Sequence, residues 1–115
     1  MVELEKQAYL YSVNVIGYAR SLEHQCGESG QKVAARLKQA GGQVYQLLTD
    51  CLEAEANEDF AGLFRQSREQ AALSLDYLNQ SQPGQADLQE QKASLRASAQ
   101  QLLERMDQIE SKFIY

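Results

Sequence analysis

Apolar side chains recur along this chain in alternating steps of three and four residues, and three interruptions divide the pattern into four stretches. From about Glu3 to Gln25 the stripe is Leu4, Ala8, Tyr11, Val15, Tyr18 and Leu22. From about Gln31 to Ala56 it is Val33, Leu37, Ala40, Val44, Leu47 and Cys51. Asn57 reads as an N-cap ahead of Glu58 and Asp59, two carboxylates suited to the positive end of a helix dipole. The third stretch, 58–79, presents Phe60, Phe64, Ser67, Ala71, Ser74 and Leu78. The fourth, from Ala86 to about Phe113, presents Leu88, Leu95, Ala99, Leu102, Met106, Ile109 and Phe113, with Lys92 at the one seam position that is not apolar. Such spacing lines up one face of a helix, and a mean period of 3.5 keeps that face on its partners along a left-handed supercoil. Cys26-Gly27-Glu28-Ser29-Gly30 and Gln80-Ser81-Gln82-Pro83-Gly84-Gln85 supply the breakers between helices. Short connections make sequence neighbours antiparallel. The expected fold is therefore all-α: a single-domain, up-down-up-down antiparallel four-helix bundle about 35 Å long at ~1.5 Å per residue.

Composition narrows the alternatives. The 115 residues suit one domain, and a single Pro with few β-branched residues cannot build a sandwich or barrel. The chain is 43% apolar and strongly periodic, which excludes disorder. No apolar run is long enough to span a membrane, and no secretory signal is visible at the start. The two cysteines, Cys26 and Cys51, fall roughly 30 Å apart along the expected bundle, too far for a disulfide. Two free thiols and a cytoplasmic location are expected.

Several residues are left over by the four seams. Tyr9, Leu10, Val13 and Ile16 in the first helix, and Tyr45, Leu48 and Leu52 in the second, lie beside or outside their stripes. Either they widen the ordinary apolar face of a globular helix, or they form a second buried face for self-association or a partner helix. Gly41 and Gly42 sit in mid-helix, where each costs about 1 kcal/mol relative to Ala. Close helix packing is the expected compensation, with a kink or a ligand recess as the alternative; Gly17 and Gly62 extend the pattern.

Charge is unevenly spread. The net charge is −5. The end of the bundle with both termini and the second-to-third turn holds eleven acidic and five basic side chains. The other end holds five acidic and six basic ones, namely Arg20, Lys32, Arg36, Lys38, Lys92 and Arg96. Those six are the candidate nucleic-acid contacts, although an acidic chain is a poor general binder of nucleic acid. The acidic run from Asp50 to Asp59 reads as a solvated helix tip, or else as a site for divalent cations or a basic partner. A di-iron bundle site requires two Glu-x-x-His pairs, and His24 is the sole histidine. Neither a catalytic triad nor a phosphate-binding glycine loop is present. No cofactor, metal or catalytic activity is expected. The tyrosines read as packing residues, with base stacking as the alternative.

The stretch Arg36-Leu37-Lys38-Gln39-Ala40-Gly41-Gly42-Gln43-Val44 is similar to the QLRRAA-type motif of bacterial four-helix-bundle proteins. That family includes proteins encoded in ribosomal-RNA intervening sequences and the accessory variability determinant of diversity-generating retroelements. Asp59-Phe60, followed by Ser67, Ala71, Ser74, Leu75 and Leu78, resembles the family's third-helix pattern, and Ala8, Leu10 and Tyr18 fit its first helix loosely. The likeness covers about 80 residues. Leu47 and Asp50-Cys51 stand where the family usually shows Asn and Glu-Gly, and the basic surface of the retroelement proteins is not reproduced. The resemblance implies a homo-oligomer, a five-membered ring, and an accessory role beside a reverse transcriptase or other nucleoprotein. The expected function is thus that of a non-enzymatic, cytoplasmic, oligomeric scaffold or accessory subunit. Two alternatives stay open: a nucleic-acid-binding accessory protein using the less acidic end, and a monomeric adaptor or chaperone holding a partner helix.

Overall fold

The six apolar positions of the first stripe, Leu4, Ala8, Tyr11, Val15, Tyr18 and Leu22, are at most 2% exposed in the folded chain. They anchor a four-helix bundle seen in a computed structural model that describes residues 2–25, 27–53 and 58–113, apart from the side chains at 2, 25, 29, 58, 59 and 113. Helix α1 spans Val2–Gln25, α2 Glu28–Glu53, α3 Glu58–Gln80 and α4 Ala86–Phe113. α1 packs on α2 and α4, and α3 packs on the same two, so the helices form a ring of four in chain order. The molecule measures 45 × 21 × 18 Å. It exceeds the expected length because α4 alone has 28 residues, about 42 Å at 1.5 Å each.

The stripes of α3 and α4 are also inward. Phe64, Ser67, Ala71, Ser74 and Leu78 are fully buried, and Leu88, Leu95, Ala99, Leu102 and Met106 face them. In α2 the register differs from the expected one. The buried set is Ala34, Leu37, Ala40, Val44, Leu48 and Cys51, while Val33 and Leu47 are only partly buried. Leu48 is therefore a core residue and not an interface residue. From Val44 the core takes a four-three step, 44 to 48 to 51, where the expected stripe takes a three-four step through 47; both average 3.5 residues.

Glu28 opens α2 three residues earlier than the breaker residues suggest. The Gly27 carbonyl already accepts the Gln31 amide at 3.0 Å, so Gly27 takes the N-cap place. Ser29 and Gly30 then fall in the first turn, whose amides need no partner within the helix. Cys26, Ala56 and the Asn57 cap lie outside the described residues. Pro83 is buried in the 81–85 connection, which α4 ties down from two sides. Gln89 Nε2 donates to the Pro83 carbonyl at 3.2 Å, and Lys92 Nζ donates to the Ser81 carbonyl at 2.7 Å. Lys92 thus occupies its seam position by reaching a backbone acceptor.

A polar ladder crosses the core diagonally between α1 and α3. The Tyr11 and Ser74 hydroxyls are 2.5 Å apart, and those of Tyr18 and Ser81 are 2.7 Å apart. Ser74 and Ser81 each spend their own proton on a carbonyl one turn back, that of Ala71 or Leu78. Each serine oxygen is then the acceptor and each phenol the donor. The rungs are one heptad apart on both helices. Burial pushes the Tyr11 phenol up to about 12 despite the opposing effect of the Ser74 bond.

The two central glycines of α2 differ. A methyl group on Gly41 would lie 2.7 Å from Val15 Cγ1 and 3.2 Å from its Cβ. Val15 is fully buried and stiff at χ1, so it cannot turn aside. On Gly42 the nearest atom would be Ile16 Cδ1 at an ordinary 3.8 Å, and around Gly17 and Gly62 nothing lies within 4 Å. Of these four glycines, Gly41 alone is close-packed. Gly41→Ala is expected to destabilise the bundle by roughly 1–3 kcal/mol. Gly42→Ala is expected to be neutral or stabilising by up to about 1 kcal/mol. Urea unfolding of the two variants checks this, and equal midpoints would contradict it.

Candidate functional site

The outward side of α1 is unusual for a surface helix. Tyr9, Leu10 and Val13 are 50%, 58% and 48% exposed, and they lie together on one face. They cannot turn inward, because the opposite face of α1 is already fixed in the core by Tyr11, Val15 and Tyr18. Leu73 on α3 is the other large apolar side chain exposed among the described residues. Ile16 is partly buried beside Gly42, and Tyr45 and Leu52 are partly buried against the core.

Of the seven residues expected at an interface, the structure brings five to one surface: Tyr9, Leu10, Val13, Ile16 and Tyr45. The Tyr9 and Tyr45 rings meet edge to face, 5.2 Å between centroids at 70°. With Leu10 and the side chains of Glu5 and Lys6 they line a recess of about 480 Å³ between α1 and α2. On the other flank of α1, Val13, Asn14 and Gly17 border a groove of about 460 Å³ shared with Gln91, Ser94 and Leu95 of α4. The apolar strip thus runs along a ridge with a shallow trough on each side. Charged residues close its two ends, Glu3 and Lys6 at one and Arg20 at the other.

The six basic residues of the less acidic end do not converge on one face. Lys38 crosses to α1 and pairs with Glu23 at 2.6 Å. Arg36 leans the other way, 6.0 Å above the Tyr77 ring of α3, in a groove with Gln39, Gln70 and Leu73. Lys92 is engaged with the Ser81 carbonyl. Arg20, Lys32 and Arg96 are exposed on three different helices. Phosphate recognition gains from cations along one surface, and here they encircle the bundle.

Two buried side chains with polar contacts lie at the acidic end, Glu110 and Cys51. Glu110 is only 3% exposed, yet both of its carboxylate oxygens accept hydrogen bonds from α3. Arg65 Nε donates to Oε1 at 3.0 Å, and Arg68 Nη1 donates to Oε2 at 2.6 Å and to Asp107 at 2.7 Å. Cys51 is a free thiol, buried, with Sγ donating to the Phe60 carbonyl at 3.3 Å. Burial pushes this thiol up to about 11, so little reactive thiolate forms near neutral pH. In the acidic run, Glu55 and the side chains of Glu58 and Asp59 lie outside the described residues. Among the described residues no group of three or more His, Cys, Asp and Glu side chains is placed to hold a metal ion. Nor is any described helix long and apolar enough to cross a membrane. No family model, curated protein or solved structure matches the chain.

Proposed function

We propose that the chain is a non-catalytic helical subunit that works by association, as a scaffold or accessory component of a larger assembly, with the outer face of α1 as its contact surface. The observation that carries this reading is the joint exposure of Tyr9, Leu10 and Val13 on one ridge. Contiguous apolar surface on a small bundle is stabilised when a second surface covers it. Tyr and Leu on a ridge with troughs on both sides are well shaped for that, and charged residues at the ends provide the polar rim typical of interfaces. Self-association is the simplest form of such contact. The nucleic-acid reading is weaker, because the basic residues are dispersed and half of them are engaged within the chain.

The expected result is a mass above that of one chain by light scattering at concentrations on the order of tens of micromolar. Leu10→Glu is expected to shift the equilibrium to the monomer while leaving helicity unchanged, since Leu10 contributes little to the core. A monomeric wild-type protein at these concentrations would refute self-association through α1.

A further inference from the structure

The exposed side of α1 carries a second three-four alternation, Glu3, Lys6, Leu10, Val13, Gly17 and Arg20. All six are exposed in the single chain. This is the spacing of a coiled-coil seam, on the face opposite the one that builds the bundle core. The seam is complementary to itself when reversed about a point midway between Leu10 and Val13. In that arrangement Leu10 of one copy meets Val13 of the other, Lys6 meets Gly17, and Glu3 meets Arg20. Around Gly17 nothing lies within 4 Å of where a side chain would begin, which leaves room for the aliphatic stem of the opposing Lys6. The flanking positions sort in the same way. Tyr9 faces Ile16 along the edge nearer α2, and Gln7 faces Asn14 along the edge nearer α4. Apolar thus meets apolar on one edge, and amide meets amide on the other.

The geometry points to a two-fold dimer of this chain, held by antiparallel pairing of the outer α1 seams with Glu3 of each copy against Arg20 of the other. A parallel pairing would bring Glu3, Lys6 and Arg20 each against its own copy, three layers of like charge. A self-complementary patch closes at two subunits, whereas a ring needs two different patches on each subunit. The inference rests on the α1 association proposed above and adds its direction, register and subunit number.

Charge reversal tests it on the full chain. Glu3→Arg and Arg20→Glu are each expected to raise the dimer dissociation constant about tenfold, because each change turns two attractions per dimer into repulsions. The double variant restores both pairs with their signs exchanged, and its constant is expected within about threefold of the wild type. The single-variant losses are expected to shrink at high salt. Glu3 also pairs with Arg105 of its own chain at 2.6 Å, so Arg105→Gln serves as the control and is expected to change the constant by less than about twofold. Circular dichroism confirms that each variant folds. Self-association that ignores the single reversals, or that the double variant fails to restore, overturns the register while α1 association stands. A loss in Arg105→Gln equal to that in Glu3→Arg overturns the cross-pair, and a mass of three or more subunits overturns the two-fold dimer. Absence of any self-association overturns both this pairing and the self-association on which it rests.

Discussion

Leu48→Ala is expected to destabilise the bundle by about 2–5 kcal/mol, while Leu47→Ala, one residue away, is expected to cost well under half as much. Leu48 is fully buried in a cluster with Val15, Val44, Cys51 and Phe64. Truncating it removes its transfer free energy and leaves a void that the helices on both sides of α2 close only in part. Leu47 is only partly buried, so water already reaches some of its surface and less is lost. Both substitutions delete the same atoms and have the same helix propensity. Their difference therefore isolates which of the two leucines faces the core. Chemical denaturation of both variants gives it directly, and equal midpoints would place the α2 register in the wrong frame.

Removing the two guanidinium partners of Glu110 is the second large effect expected. Arg65→Ala with Arg68→Ala is predicted to cost about 3 kcal/mol, in spite of the arginines being 46% and 38% exposed. The cost arises on the carboxylate side. Glu110 stays in a site that is only 4% open to water, and its carboxylate loses two arginine donors that stand in for hydration there. Glu110→Gln alone is predicted to be milder, near 1 kcal/mol, because the half-exposed arginines can be solvated in its absence. The decisive variant is the triple one. Adding Glu110→Gln to the double arginine variant is predicted to recover more than half of the loss, since it removes the buried charge itself. Thermal melts of the three proteins check the order, and a triple variant less stable than the double would show that packing of the arginine stems, and not charge burial, is what matters.

Most of the architecture was legible in the residues because three of the four helices carry an unambiguous alternation. In α1 each stripe position is followed by polar or off-phase residues, so one frame alone fits. The frame is ambiguous in α2 after Val44, where Leu47 and Leu48 are adjacent and a three-four or a four-three step reaches Cys51 equally well. Identical side chains at the two positions leave periodicity nothing to decide with. The early start of α2 escaped for a different reason: Ser29 and Gly30 break a helix interior but are tolerated in its first turn. Among the site residues, the off-stripe position of Tyr9, Leu10 and Val13 left open a widened core face or a separate one, and their exposure puts them on the outer side of α1. The sequence could not separate Gly41 from Gly42, because the distinction depends on which one points at Val15. Nor does the sequence distinguish Glu110 from the other ten acidic residues at its end of the bundle. The approach of Arg65 and Arg68 from α3 gives this carboxylate donors in the α3–α4 contact.

The diagonal ladder also constrains the order in which this core can change over time. Each phenol hydrogen bonds to a serine 63 positions away in the chain. The two partners are unequal in what their loss leaves behind. Phenylalanine at position 11 leaves Ser74 still donating to the Ala71 carbonyl, so no buried donor is stranded. Alanine at position 74, introduced first, strands the Tyr11 hydroxyl in a dry interior at a cost of about 1–3 kcal/mol. A descendant can therefore reach an all-apolar pair readily through the tyrosine and only with difficulty through the serine. Ser81 likewise donates to the Leu78 carbonyl, so phenylalanine at position 18 strands no donor there. The Tyr11–Ser74 rung is thus more open to change from its tyrosine than from its serine.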